Sequence, residues 1–95
     1  MHQQKELVIE TLKRFREMYP GNAVEIRIPP IMSIQILEGI KHKRGKPPAT
    51  VEMSPDTWIK LIKRDLDWAD GVNLGLIQAS GLQSDLEAVI EKLTK

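Results

Sequence analysis

Lys41, His42, Lys43, Arg44 and Lys46 fall within one six-residue stretch, flanked by Gly39, Gly45, Pro47 and Pro48. Glycine lets a backbone approach an anion closely, and an arginine forks onto carboxylate or phosphate. Such a loop can clamp an anionic headgroup at the mouth of a pocket, with His42 and Arg44 at its rim, or touch a membrane surface. It reads equally well as a solvated loop stiffened by prolines. Basic residues alone supply nonspecific affinity for nucleic acid. No aromatic side chain lies inside the cluster to stack on bases, and no nucleic-acid motif accompanies it, so a specific nucleic-acid partner is not expected.

Catalytic chemistry has few candidates. His42 is a possible base or ligand, but the one other histidine, His2, stands near the start of the chain. There is no cysteine, which removes thiol nucleophiles, disulfides and thiolate metal sites. Asp56, Asp65, Asp67 and Asp70 form an acidic constellation in sequence. Asp56 and Asp67 already have a role at helix starts, and the other two read as surface. No nucleophile–base pair or phosphate-binding glycine loop stands out. The expectation is a protein that is not an enzyme, with no metal and no cofactor.

Apolar chemistry is better supplied. Aromatics make up only 4% of residues, while Ile, Leu and Val are plentiful. Aliphatic walls with Met18, Met32 and Met53 can adapt to a flexible apolar body, although the same residues would serve as ordinary core. Trp58 and Trp68 are large anchors near helix starts, and the largest walls of any pocket.

These residues need elements to position them. Val8, Leu12, Phe15 and Tyr19 recur at helical spacing, flanked by Leu7 and Met18, so Lys5 to Tyr19 is expected to be a helix ended by Pro20-Gly21. Val24, Ile26 and Ile28 alternate with Glu25 and Arg27, predicting a strand over Ala23 to Ile28 with one buried face. Pro29-Pro30 breaks it. A second strand runs from Ile31 to Glu38, with Met32, Ile34 and Ile36 on one face and Ser33, Gln35 and Leu37 on the other. The break is too short for a helical crossover, so the pair should be antiparallel.

After the loop over 39–49, Thr50 to Met53 resumes strand character, with Val51 and Met53 inward. Ser54-Pro55-Asp56 starts a helix that is expected to reach about Asp65, with Trp58, Leu61 and Ile62 inward. Asp67 caps a short helix over Trp68 to Leu74 that ends at Gly75. Leu76 to Ala79 reads as a strand. Ser84 and Glu87 match a capping box, and Leu86, Val89, Ile90 and Leu93 share one face of the last helix. The expected order is α-β-β-β-α-α-β-α. The expected class is α+β, a small, mostly antiparallel sheet covered by helices on one face.

Ninety-five residues make one domain, 1–95, without room for a second core. Charged residues are 28% and the formal net charge is +1, an ordinary globular balance that gives no general pull toward nucleic acid or anionic membranes. The start, Met1-His2-Gln3-Gln4-Lys5, lacks the apolar core of a signal peptide. No apolar run approaches the ~20 residues that cross a bilayer. A cytoplasmic, reducing setting is therefore expected.

The stretch from Ala49 to Leu93 resembles the sterol carrier protein superfamily. A short strand runs into a Ser-capped helix (ATVEMSPDTWIKLI, Ala49 to Ile62), and a short helix ending at glycine leads to a strand ending in Ser-Gly (WADGVNLGLIQASG, Trp68 to Gly81). The chain is more closely similar to short bacterial, actinobacterial-type sterol carrier family proteins. That likeness rests on RIPPIMSIQ (Arg27 to Gln35), HKRGKPP (His42 to Pro48), Thr57-Trp58, Trp68-Ala69 and Ala79 to Gly81. The resemblance implies a sheet curved under helices, with an apolar tunnel for a sterol, fatty acid or acyl thioester. The expected function is thus non-catalytic binding of an apolar or acyl-bearing ligand. Its walls would be Phe15, Ile28, Ile34, Ile36, Val51, Trp58, Ile62, Trp68 and Ile90, with His42 and Arg44 at the rim. The alternative is a ligand-free interaction module, possible as a homodimer, that uses a sheet edge or the basic loop.

Overall fold

The computed structural model describes residues 2–38, 49–81 and 85–93. Helix α1, His2–Met18, starts before the predicted Lys5. It presents Val8, Leu12 and Phe15, all fully buried. Met18, expected to widen that stripe, is 44% exposed. Beyond the helix, Gly21 has φ +146°, and a Cβ there would overlap the Leu37 carbonyl. Only glycine lets these two segments approach so closely.

Strands β1 (Val24–Ile28) and β2 (Met32–Ile36) form an antiparallel hairpin in which Ile26 faces Ile34 and Val24 faces Ile36. Leu37 was expected on the outer face of β2. Instead it lies just past the strand with φ 67° and is half-buried against the core. Its N–H donates to the Tyr19 carbonyl at 2.8 Å and its carbonyl accepts from the Ala23 N–H at 2.9 Å, which ties the helix exit to the hairpin.

Strand β3 (Ala49–Met53) pairs with β1 in parallel, and β4 (Ile77–Ser80) pairs with β3 antiparallel. The sheet order is β2-β1-β3-β4. The sheet is therefore mixed, with one parallel pairing among three. Strand β3 lies beside β1 on the side opposite the hairpin partner. Every inward residue of β1 and β3 is buried, while Arg27, Ser33, Gln35, Glu52, Gln78 and Ser80 leave the other face polar and exposed.

Helix α2, Pro55–Ile62, is capped by Ser54, whose hydroxyl accepts from the Thr57 N–H at 3.1 Å. It stops at Ile62, short of the expected Asp65. Arg64 takes φ 63°, its N–H bonds the Leu61 carbonyl at 3.1 Å, and the Asp65 N–H bonds the Lys60 carbonyl at 2.9 Å. This is a Schellman termination with arginine in the left-handed position that glycine usually fills.

Helix α3 covers Trp68–Asn73. Asp67 stands at its N-cap in extended conformation but makes no side-chain cap bond, so the predicted capping role holds in position only. The last helix, α4, spans Glu87–Leu93 and buries Ile90 and Leu93. Ser84 lies outside the described residues. At this helix start the Glu87 N–H donates to Asp85 Oδ1, at 3.0 Å. Helices α1 and α2 pack together, α1 lies on β2, and α4 rests on α2. None of the helices in the described residues is long and apolar enough to cross a membrane.

Candidate functional site

The interior between sheet and helices is one cluster of side chains. From the sheet come Ile28, Ile34, Ile36 and Val51, all buried because period-two alternation aims them at the helices. From the helices come Phe15, Trp58, Trp68 and Ile90, also buried. Ile62 is half-buried at the margin. The folded chain thus brings together eight of the nine residues expected to wall a pocket, with the ninth at its edge.

They meet each other closely. Phe15 and Trp58 have ring centroids 5.8 Å apart, and Phe15 meets Tyr19 edge-on at 5.5 Å. Phe15, Ile28, Ile36, Val51 and Trp58 have 0% of their surface accessible. A side chain with no accessible surface borders no space that water can enter. The interior is closed at these five residues.

Sequence reasoning missed Thr11, which is buried among apolar neighbours. Its Oγ1 accepts from the Trp58 indole N–H at 2.8 Å and donates to the Leu7 carbonyl at 2.7 Å. A tryptophan N–H is a donor that needs a partner when buried, and Thr11 supplies it across the α1–α2 interface. The signal was present: Thr11 sits between Val8 and Leu12 on the apolar side of a helix, where a hydroxyl needs a reason.

Two clefts reach this interior from outside. One has a volume of about 360 Å³ and lies where α1, the end of α2 and the end of α4 meet. Leu7, Ile62 and Leu93 make its apolar part, Thr11 lies within it, and Glu10, Arg14 and Lys63 surround it. The other, about 120 Å³, lies between the end of α2, the start of α3 and α4, over Leu61, Trp68 and Ile90. Its rim carries an ion pair, Arg64 to Glu91 at 3.6 Å. Small-molecule pockets begin near ~300 Å³, so only the first is of ligand size.

The polar candidates separate. His42 and Arg44 lie outside the described residues. Asp56 pairs with Lys60 at 3.2 Å along α2, an exposed i,i+4 pair. Asp65, Asp67 and Asp70 are exposed. Among the described residues no three acidic or histidine side chains gather as a metal site.

The sequence model of a family described as "Bacterial SCP ortholog", SCP standing for sterol carrier protein, matches residues 2–91 of the chain. A search of curated proteins finds no match.

Proposed function

Because the chain belongs to the bacterial sterol carrier protein ortholog family, we propose that it binds one apolar or acyl-bearing molecule between its sheet and helices and performs no chemistry on it. The observation that carries this reading is the shape of the helical seam. A cleft of ligand size is lined by Ile62, Leu7, Leu93 and Thr11, and the Thr11 hydroxyl is bonded to Trp58 in the interior. An acyl chain or sterol body entering there meets first Ile62, then the layer formed by Phe15, Trp58 and the sheet residues.

The closed interior has a thermodynamic cause. An empty void of about 300 Å³ would cost on the order of 7 kcal/mol, against a total stability of typically ~5–15 kcal/mol. A chain this short collapses on itself when empty and opens when a ligand fills the gap. The element that yields is α4. It has seven residues and rests mainly on α2. Displacing it uncovers Leu61, Trp68 and the seam around Ile62. Ligand apolar surface then replaces Ile90 and Leu93, so little burial is lost. Arg14 and Lys63 stand at this seam without an ion-pair partner among the described residues, a setting that suits a carboxylate at the head of an acyl chain. His42 and Arg44 are proposed as further rim cations.

Native mass spectrometry of the protein purified from a bacterial host, with a lipid extract of the same sample, tests the reading. An acyl or sterol-like mass at one per chain is expected. A ligand-free mass, together with no uptake of a fluorescent fatty acid or sterol analogue, would sink it.

A further inference from the structure

The register of the sheet places two distant stretches of chain at one end of it. Ile28 pairs with Met32, Arg27 with Glu52, and Met53 with Ile77. The β1–β2 turn, 29–31, and the turn that leads into β4, 74–76, therefore leave the sheet at the same end. Only β3 separates β1 from β4. Neighbouring strands lie ~4.8 Å apart, so the two turns stand on the order of 10 Å from each other. Pro29 and Pro30 are exposed, with Ile31 and Met32 half-buried beside them. In the other turn Leu74 is 69% exposed and Leu76 41%, and Val72 at the end of α3 is exposed as well. These are three of the four large apolar side chains that stand exposed among the described residues. Neither turn carries a charge. Between them β3 passes into α2, where Asp56 is paired with Lys60 at 3.2 Å.

Just behind these turns, on the polar face of the sheet, stands a short charged row. Arg27 bonds Glu25 at 2.8 Å and lies opposite Glu52 in the β1–β3 ladder. Two clefts, of about 320 and 420 Å³, both border Arg27 and Glu52. The first reaches Pro29, Pro30 and Met32, and the second reaches Val72 and Ile77. The charged row thus joins one apolar turn to the other.

We propose that this end of the sheet docks on a zwitterionic phospholipid surface, with Leu74, Leu76 and the Pro29–Met32 turn entering the boundary between headgroups and acyl chains. A protein partner would need a surface shaped to receive two separate turns, whereas a bilayer gives way around each. The charged row selects the kind of lipid. Arginine forks onto phosphate, and the carboxylates of Glu25 and Glu52 suit the ammonium of the same headgroup. One cation between two carboxylates offers an anionic membrane no attraction, so the row complements headgroups that carry both signs. The apolar area is small, which makes docking weak and reversible. This surface shares no residue with the cleft at Thr11 and does not depend on a ligand there.

Flotation of the full chain with phosphatidylcholine vesicles tests this. The protein should float with the vesicles. Leu74→Ser with Leu76→Ser, both at exposed positions, should weaken partitioning about tenfold. Met18→Ser, at the exposed apolar residue on α1, should not. Added phosphatidylserine should not strengthen binding, nor should high salt weaken it. The chain lacks cysteine, so an environment-sensitive dye can be attached at Leu74→Cys, Ile31→Cys or Glu17→Cys. Vesicles should brighten the dye at both turns and leave it unchanged at Glu17 on α1. Lipid taken into the interior alone would brighten neither turn, so docking and ligand binding can fail separately. A protein that stays behind while the vesicles float overturns the proposal. So does binding that needs anionic lipid and falls with salt, a dye response at only one turn, or self-association without vesicles that the two serines remove.

Discussion

Thr11 and Trp58 show how one polar contact can hold an apolar interior in register. The indole N–H is buried with the threonine hydroxyl as its acceptor. Thr11→Val keeps the shape and removes the acceptor. The Trp58 N–H then stays buried without a partner, at a cost of about 1–3 kcal/mol. Chemical denaturation should show that loss. In a Trp68→Phe background, the fluorescence of Trp58 should change as well, and an unchanged midpoint would mean the indole finds water. The spacing of Val8, Leu12 and Phe15 was enough to place the apolar stripe, because helical periodicity depends on residue type alone. The Thr11–Trp58 bond was not legible, because it joins residues far apart in sequence. Nor was Leu37, whose alternation put it outside while a single positive φ turns it inward.

At the scale of elements, starts were easier to read than ends. Ser54 and Asp67 both stand at N-caps in extended conformation, yet only Ser54 bonds the helix it precedes. Ser54→Ala should cost about 1 kcal/mol. Asp67→Ala should fall within the ~0.5 kcal/mol of ordinary surface changes. Thermal unfolding of the two variants separates them, and equal losses would contradict the observed bonding. Helix α2 ended early because Arg64 adopts a backbone conformation that its residue type does not announce. Arg64→Val puts a β-branched side chain in the left-handed region and should destabilise the protein by on the order of 1–3 kcal/mol. The partner of each strand was harder still to read. The Pro29-Pro30 break fixed the β1–β2 hairpin, whereas nothing local to β3 says that it runs alongside β1.

For the molecule as a whole, a closed interior and a ligand-binding role are compatible if the ligand contributes to stability. A molecule that binds only the folded chain adds about 2.7 kcal/mol at a hundredfold excess over its dissociation constant. For a domain of this size each 1 kcal/mol moves the melting temperature by roughly 4–8 °C. A fatty acid or sterol analogue that occupies the seam should therefore raise it by more than ~10 °C. Ile62→Glu, at the half-buried margin of the interior, should lower the ligand-free melting point by several degrees, as lost apolar burial requires, and abolish the shift. A shift that survives in Ile62→Glu would place the ligand elsewhere. Composition and the resemblance gave the fold class and the candidate wall, because both depend on which residues are apolar. Whether those residues surround a space or each other is decided by packing, which the residue order does not record.

The parallel pairing of β1 with β3 also sets an order of events in time. Ile28 meets Met32 across a tight turn, while Val24 meets Ala49 only after the hairpin and the following segment are in place. Local contacts form cheaply and distant ones wait for loop closure. The β1–β2 hairpin with α1 is the natural nucleus, and β3 with β4 joins later. Ile34→Val should then slow refolding, while Ile77→Val should chiefly speed unfolding. Stopped-flow measurements of both variants would read this sequence of events, and with it how long β4 waits for its partner strand as the chain folds.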